Sequence, residues 1–400
     1  MAKKIFAIST LLLVLVVGAL FVYNFIFKKP TGTAGNNQPA SAGNLSSEGK
    51  TGDSQALAPS ANNPSQKTNP QNTSAIVAVS EEPILGATLS PDGSSLYYFL
   101  KESGQLNQVD FSGKLLKVLS TEAFSNLKRI VWNKPKNKAI ITEEPSPGKT
   151  QLLLFDLVQE KVTPLDGNIS AVSWSNQGDK IIYQFSDPKT KKKTLSIADP
   201  DGKNWQNITA LDFPSVYIAP VPGDSLVSFW LPPSAFTGTS VNTLNISGGS
   251  KKEILRDRFG ADILWSPSGL QAILSSTDQK GGHKIDLSTM NAQGGQIQSL
   301  MFPTFASKCA WSQINLQTLF CSLPGSLPES AVLPNDWQAG KFLTTDTFWK
   351  IDTLSGKKEH LLDPQKIGGA FDATNPFLST DEKSLFFRNK SDGKLYKLSL

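Results

Sequence analysis

The chain has 400 residues, 39% of them hydrophobic and 18% charged, which is too apolar for a disordered protein and enough for a large folded core. The net charge is +5, but residues 1–30 hold four lysines and no acid, and beyond them 35 basic residues face 34 acidic ones. A nearly neutral body gives no electrostatic ground for a nucleic-acid partner, and two cysteines with two histidines exclude a disulfide framework or a Cys/His metal cluster.

In chain order, the first element is the 23-residue stretch from Ile5 to Phe27, which carries no charge. As a helix it would run roughly 35 Å, enough to cross a bilayer. Lys3 and Lys4 precede it, and Lys28 and Lys29 follow. Gly32-Thr33-Ala34 could pass as a cleavage site, but the apolar core is longer than the ~7–15 residues of a cleaved signal peptide. Residues 1–29 therefore read as a transmembrane signal anchor with a short cytoplasmic head and the remainder outside. Residues 30–74 are rich in Asn, Ser, Gly, Pro, Ala and Gln and contain no aromatic side chain. Such a stretch cannot bury enough apolar surface to offset its ordering entropy, so it reads as a disordered linker.

From Ala75 the chain repeats itself. Ile84 to Ser120 holds four short apolar runs separated by three turn signals, one four-stranded antiparallel meander. Aligned on the last residue of the first run, the copies stand at Leu89, Trp132, Trp174, Ala219, Trp265, Trp311 and Leu378, with gaps of 43, 42, 45, 46, 46 and 67 residues. Blade-type repeats have periods of about 40–50 residues. Asp110-x-x-Gly113, Asp199-x-x-Gly202, Asn245-x-x-Gly248 and Asn291-x-x-Gly294 recur as hairpin closures, with Asx bonding nearby backbone and Gly supplying φ > 0. Seven such copies predict an all-β, seven-bladed β-propeller over residues 75–400. The seventh copy ends at Leu400 after three strands, while the stretch from Ala75 to Val79 is unassigned. Pairing that stretch with the last strand closes the ring and removes two exposed edges.

The phrases Leu89-Ser90-Pro91-Asp92-Gly93, Trp174-Ser175, Trp265-Ser266-Pro267 and Trp311-Ser312 resemble the WD40-like repeats of TolB-type propellers. The resemblance covers residues 75–400 and implies a fold more than a function. TolB proteins join a six-bladed propeller to an α/β domain, whereas this chain shows seven copies, no such domain and an expected anchor. Partners of that family are therefore not implied. The propellers of prolyl-oligopeptidase-type enzymes are similar too, but there a separate hydrolase domain does the chemistry.

Chemistry-bearing motifs are sparse. His283 and His360 have no second ligand at metal spacing, and neither a Gly-x-Ser-x-Gly elbow nor a phosphate-binding glycine loop is present. No catalytic residue, metal site or cofactor is assigned, and the chain reads as no enzyme. Cys309 and Cys321 fall on successive strands of the sixth copy, where a turn near Ile314 to Leu316 sets them opposite each other. They are either a cross-strand disulfide or two buried thiols.

Second-to-third-strand connections are the long ones, at 143–150, 187–193, 231–239, 276–283 and above all 323–345, and alternation of strand direction puts them on one face. That face supplies candidate contacts: Trp337 and Phe342 in the large insertion, Phe236 in copy four, and Lys191, Lys192 and Lys193 in copy three. Trp337 and Phe342 serve equally well as packing for the insertion, and the lysines as a solvated hairpin tip. The function expected is a membrane-anchored, extracytoplasmic, non-catalytic scaffold for a protein or cell-envelope polymer, without nucleic acid. A glycan hydrolase or lyase is the alternative, and carboxylates at the central channel would favour it.

Overall fold

In six of the seven repeats the first hairpin turns on one buried polar residue, and blade four has Val221 in its place. Ser90 accepts the Ser95 amide at 3.0 Å and donates to Asp92, Ser175 donates to Asp179 at 2.7 Å, and Asn133 accepts the amides of Asn137 and Lys138 at 3.1 and 3.0 Å. A short side chain at this place closes the first hairpin, because hydroxyl and amide groups mimic a backbone turn. The computed structural model describes residues 75–400; the expected anchor over residues 1–29 and the linker over 30–74 lie outside them. Among the described residues no helix is long and apolar enough to cross a membrane.

The strands form seven four-stranded antiparallel sheets in meander order. Blade one runs from Ile84 to Ser120, and blade seven takes its inner three strands from Ala373–Leu378, Ser384–Asn389 and Leu395–Ser399. Its outer strand is Ile76–Ala78, registered Ile76 to Leu398, Val77 to Lys397 and Ala78 to Tyr396. The closure expected from the unpaired N-terminal run is thus present. One loop differs from expectation. The 143–150 connection is no long loop, because Lys138–Ser146 and Lys149–Asp156 extend as strands to a tight turn at Pro147-Gly148. Thr142, Leu152 and Leu153 continue the ladder, and the prolines sit where the hairpin is already ending.

Seven apolar cores fill the seven gaps between blades. The two-residue period of a strand explains them: neighbouring residues point into opposite gaps. In the second strand of blade five, Ala272 and Leu274 pack toward blade four while Ile273 packs toward blade six. The anchor tryptophans add direction to this packing. The Trp132 indole N–H donates to the Gly86 carbonyl at 2.7 Å, that of Trp174 to Val131 at 2.8 Å, and that of Trp311 to Leu264 at 3.1 Å. Each bond reaches the inner strand of the preceding blade. Trp265 does the same through the Ser228 hydroxyl at 2.9 Å, which passes the contact on to the Ala219 carbonyl.

Glycine is required where the turns of adjacent blades meet. A Cβ on Gly269, which has φ +69°, would lie 1.9 Å from the Pro222 carbonyl oxygen of blade four.

Trp311→Phe keeps most of the apolar surface but orphans the Leu264 carbonyl, so a loss of about 1–3 kcal/mol is expected in urea unfolding. A midpoint equal to that of the unaltered protein would show that the indole bond adds nothing.

Candidate functional site

The inner strands run from the long-loop face to the tight-turn face, so their first residues line one mouth of the ring and their last residues the other. At the long-loop mouth the repeat places charge at one position. Arg129, Asp262 and Lys308 each stand three residues before the anchors Trp132, Trp265 and Trp311. Their fates differ with what covers them.

Lys308 is covered completely. Its Nζ lies 2.5 Å from Asp346 Oδ2, 2.7 Å from Asp372 Oδ1, 3.0 Å from the Thr344 hydroxyl and 3.1 Å from the Ala373 carbonyl. Lysine and both carboxylates have side chains at 0% exposure. Burial pushes the Asp346 carboxyl above its ordinary range. For Asp372 burial acts the same way, but the Lys308 charge and the bonds from Lys308, Trp337 and Thr344 outweigh it and hold the carboxyl low.

The cover is the blade-six insertion, residues 325–345. Its one-turn helix Asn335–Gln338 presses Trp337 onto Phe305, with ring centroids 4.3 Å apart and planes 7° from parallel. The Trp337 indole donates to Asp372 at 3.0 Å, and its carbonyl accepts from Lys390 of blade seven. Asn335 accepts the Ala235 amide of the blade-four loop at 2.7 Å, and Leu333 donates to Gly282 of the blade-five loop at 3.0 Å. The insertion thus straps the loops of blades four, five and seven together.

This placement corrects the expectation for the insertion aromatics. Trp337 is 6% exposed and packs inward, and Phe342 is half-buried against the same cluster. Phe236 is 55% exposed beside Gly281. Lys191 and Lys192 stand exposed at the blade-three hairpin, and Lys193 donates to the Pro214 carbonyl at 2.7 Å. The structure brings none of these lysines into contact with the insertion. Cys309 and Cys321 sit opposite each other in register and are joined as a disulfide, with Cα atoms 4.1 Å apart.

Arg129 and Asp262 remain at the channel with Tyr217, the first residue of the blade-four inner strand. Asp262 keeps some accessible surface yet is enclosed by protein, as a group lining a narrow channel is. Burial pushes its pKa up to about 6, against the bond from the Ile263 amide. The Trp230 indole N–H lies near this carboxyl without forming a well-shaped hydrogen bond. Tyr217 packs edge-on against Trp230 at 6.0 Å, and burial raises its pKa, with Asp262 raising it further and Arg129 lowering it. The Arg129 guanidinium is open to water along its edge and extends toward the Val172 carbonyl at 3.5 Å. Its surroundings lower its pKa. The Asp262 carboxyl, pushed up to about 6, and the Arg129 cation thus both act on the Tyr217 phenol at the long-loop mouth. The sequence signal for them was a charge interrupting an apolar inner strand at the same repeat position.

The tight-turn mouth opens on a cavity of 1170 Å³ lined by the ends of the inner strands and by the first hairpin turns. Among the described residues no group of three or more His, Cys, Asp or Glu is arranged to hold a metal ion.

No protein-family model matches the chain, and no curated protein matches it in sequence. Solved structures do. An oligogalacturonate lyase in complex with manganese superposes with a TM-score of 0.57 at 13% identity, over 81% of this chain and 93% of that one. An oligogalacturonate lyase from Vibrio parahaemolyticus gives 0.55 at 11% identity, over 81% and 93%. The β-propeller domain of a Myceliophteria thermophila protein gives 0.52 at 9% identity, over 81% and 99%. TolB from Acinetobacter baumannii is also similar, with a TM-score of 0.40 at 16% identity over 55% of this chain. The three likenesses with the higher TM-scores establish the β-propeller fold.

They also correct one expectation. The chain was read as no enzyme because it carries no recognised motif and no separate catalytic domain. Two of the similar propellers are lyases that this chain matches over 93% of their length, so the lack of an added domain is no ground for that reading.

Lys308→Met leaves two buried carboxylates without their cation, and a loss of about 3–5 kcal/mol in urea unfolding at pH 7.5 is expected. The deficit should shrink at pH 5, where orphaned carboxyls take up protons. A cost below about 1 kcal/mol would show that the cluster is not a structural centre.

Proposed function

We propose that the protein is a carbohydrate-active propeller that holds an acidic polysaccharide segment at the long-loop mouth of its ring and cleaves it by β-elimination. The observation carrying this reading is Asp262, a carboxyl at the start of an inner strand at the long-loop mouth, pushed up to about 6 and acting with Arg129 on the Tyr217 phenol. A general base works best with a pKa near the working pH. Arg129 would pair with a uronate carboxylate, which acidifies the adjacent C–H. Asp262 takes that proton, its electron pair becomes the new C=C bond, and the C–O bond to the departing sugar breaks. Tyr217, whose raised pKa keeps it protonated, gives its proton to the leaving oxygen. Similarity to two oligogalacturonate lyases supports the substrate class. The donor set for an ion such as manganese is not assembled among the described residues, so no step is written through a metal.

The ring would work outside the membrane, held by residues 1–29 as an uncleaved anchor through the linker at 30–74. A Cys309–Cys321 disulfide fits an oxidising compartment.

Incubation with polygalacturonate should yield the ultraviolet-absorbing unsaturated product, at a rate that rises as pH passes through about 6. Asp262→Asn should lower kcat/KM by about 10²–10⁴-fold. The native carboxyl binds its proton more tightly than an unfolded aspartate, whose ordinary pKa is 3.8, so its stability cost appears as pH rises from there toward about 6. The same variant should therefore melt higher at pH 7.5 and equally near pH 4, which separates lost chemistry from lost fold. No unsaturated product from any uronate polymer, or full activity in the variant, would overturn the proposal. The full chain should also stay in the membrane pellet after an alkaline carbonate wash; its release would remove the anchor.

A further inference from the structure

At the tight-turn mouth the repeat offers a comparison among its own copies. The fourth residue after the anchor has a left-handed backbone in blade after blade, and it is glycine in blades one, three, four and five: Gly93, Gly178, Gly223 and Gly269, with φ of +72°, +75°, +73° and +69°. Two blades keep a side chain there, Lys136 in blade two at φ 59° and Glu382 in blade seven at φ 53°. Such a residue costs about 1–2 kcal/mol relative to glycine, and strain of this kind persists where something uses it.

Glu382 has a visible use. Its carboxylate accepts from the Ser312 hydroxyl at 2.7 Å and from the amides of Gln313 and Ile314 at 2.6 and 3.1 Å, which ties blade seven to the turn of blade six. Lys136 has no counterpart of these bonds. Its side chain lines the 1170 Å³ cavity, and no carboxylate or carbonyl of the described residues pairs with it. Burial pushes its pKa down, and no neighbouring charge acts on it. The same cavity wall carries the side-chain amides of Gln177 and Gln313, which also make no hydrogen bond within the protein.

We infer that this mouth is an anion-binding site, separate from the one at Asp262, which takes an acidic sugar with its charged group on Lys136 and its hydroxyls on Gln177 and Gln313. Lys134 lines the same wall, also without an ion-pair partner among the described residues, while the Asp179 and Asp224 carboxylates there accept from Ser175 and Ser225. Cations left unpaired in a roomy cavity are completed by a carboxylate or a phosphate, and amide groups match sugar hydroxyls. The site does not depend on the elimination chemistry at the opposite mouth.

Calorimetric titration of the full chain carrying Arg129→Gln, which removes the cation of the opposite mouth, with galacturonate, with a hexose monophosphate and with the neutral parent hexose tests it, the two anions distinguishing carboxylate from phosphate. One anion should bind at least about 10-fold more tightly than the neutral sugar, as expected for one charge-assisted bond. Lys136→Gly should melt at the same or a higher temperature, because the strain is relieved, yet lose that preference. Lys136→Arg should keep it, and adding Asp262→Asn should leave binding unchanged. Equal binding of all three sugars, an undiminished preference in Lys136→Gly, or its loss in Asp262→Asn would overturn the inference.

Discussion

The ring depends on one repeated contact, the indole N–H of an inner-strand tryptophan donating to the inner strand of the blade before it. Apolar packing between blades is strong but does not specify direction: at ~1.5–3 kcal/mol per buried large side chain, it would hold sheets together over a range of angles. A hydrogen bond to one carbonyl sets the approach of two inner strands. Trp132, Trp174 and Trp311 repeat that setting directly, and Trp265 reaches the Ala219 carbonyl through the Ser228 hydroxyl. The indole suits the task because it places a donor at the end of a large apolar body.

Where the tryptophan series ends, after blade six, a different device joins the blades. Blade seven begins at Ala373 with Leu378 as its anchor, and the apolar core of the gap before it is joined at its long-loop end by Lys308, Asp346, Asp372 and the insertion above them. Burying three charges is expensive unless every donor and acceptor is matched. Here each carboxylate takes several donors, and the lysine ammonium is surrounded by acceptors from blades six and seven. The insertion excludes water from this cluster, which explains why Trp337 is spent inward. Length in a loop announced something placed over the ring, but not whether its aromatic residues would face out or in.

The fold was legible because its signals are local and repeated. Turn residues, strand period and anchor spacing all pointed to seven meanders, and the unassigned Ile76 to Val79 run pointed to the closing strand. The 143–150 segment misled because Pro145, Pro147 and Gly148 read as loop, whereas the edge of a hairpin end tolerates them. The candidate site was not legible in the same way. Arg129, Asp262 and Lys308 share a repeat position, but one is open, one enclosed and one wholly buried, and that difference arises from the insertion, far away in sequence. Trp337 was visible as an aromatic residue on a long loop, while Asp372, its hydrogen-bond partner, gave no signal because the pair meets only in the folded ring.

The ring's stability and its strained residues are connected. Asp262 held about two pKa units above its ordinary value corresponds to roughly 3 kcal/mol against the ionised form at neutral pH. Lys136 in a left-handed turn adds another ~1–2 kcal/mol. Either cost would be a large share of a typical domain's stability. Seven interblade cores, a closed sheet edge and a fully matched ion cluster supply the margin that lets such residues persist. Both unfavourable residues lie at mouths of the ring, and among the described residues no ion pair with a neighbouring blade offsets either cost. Glu382 shows the contrast: in the same strained turn, it is matched by the blade beside it and reads as structure. An unmatched charge on an otherwise well-matched scaffold is the physical mark by which the two mouths differ from the rest of the ring.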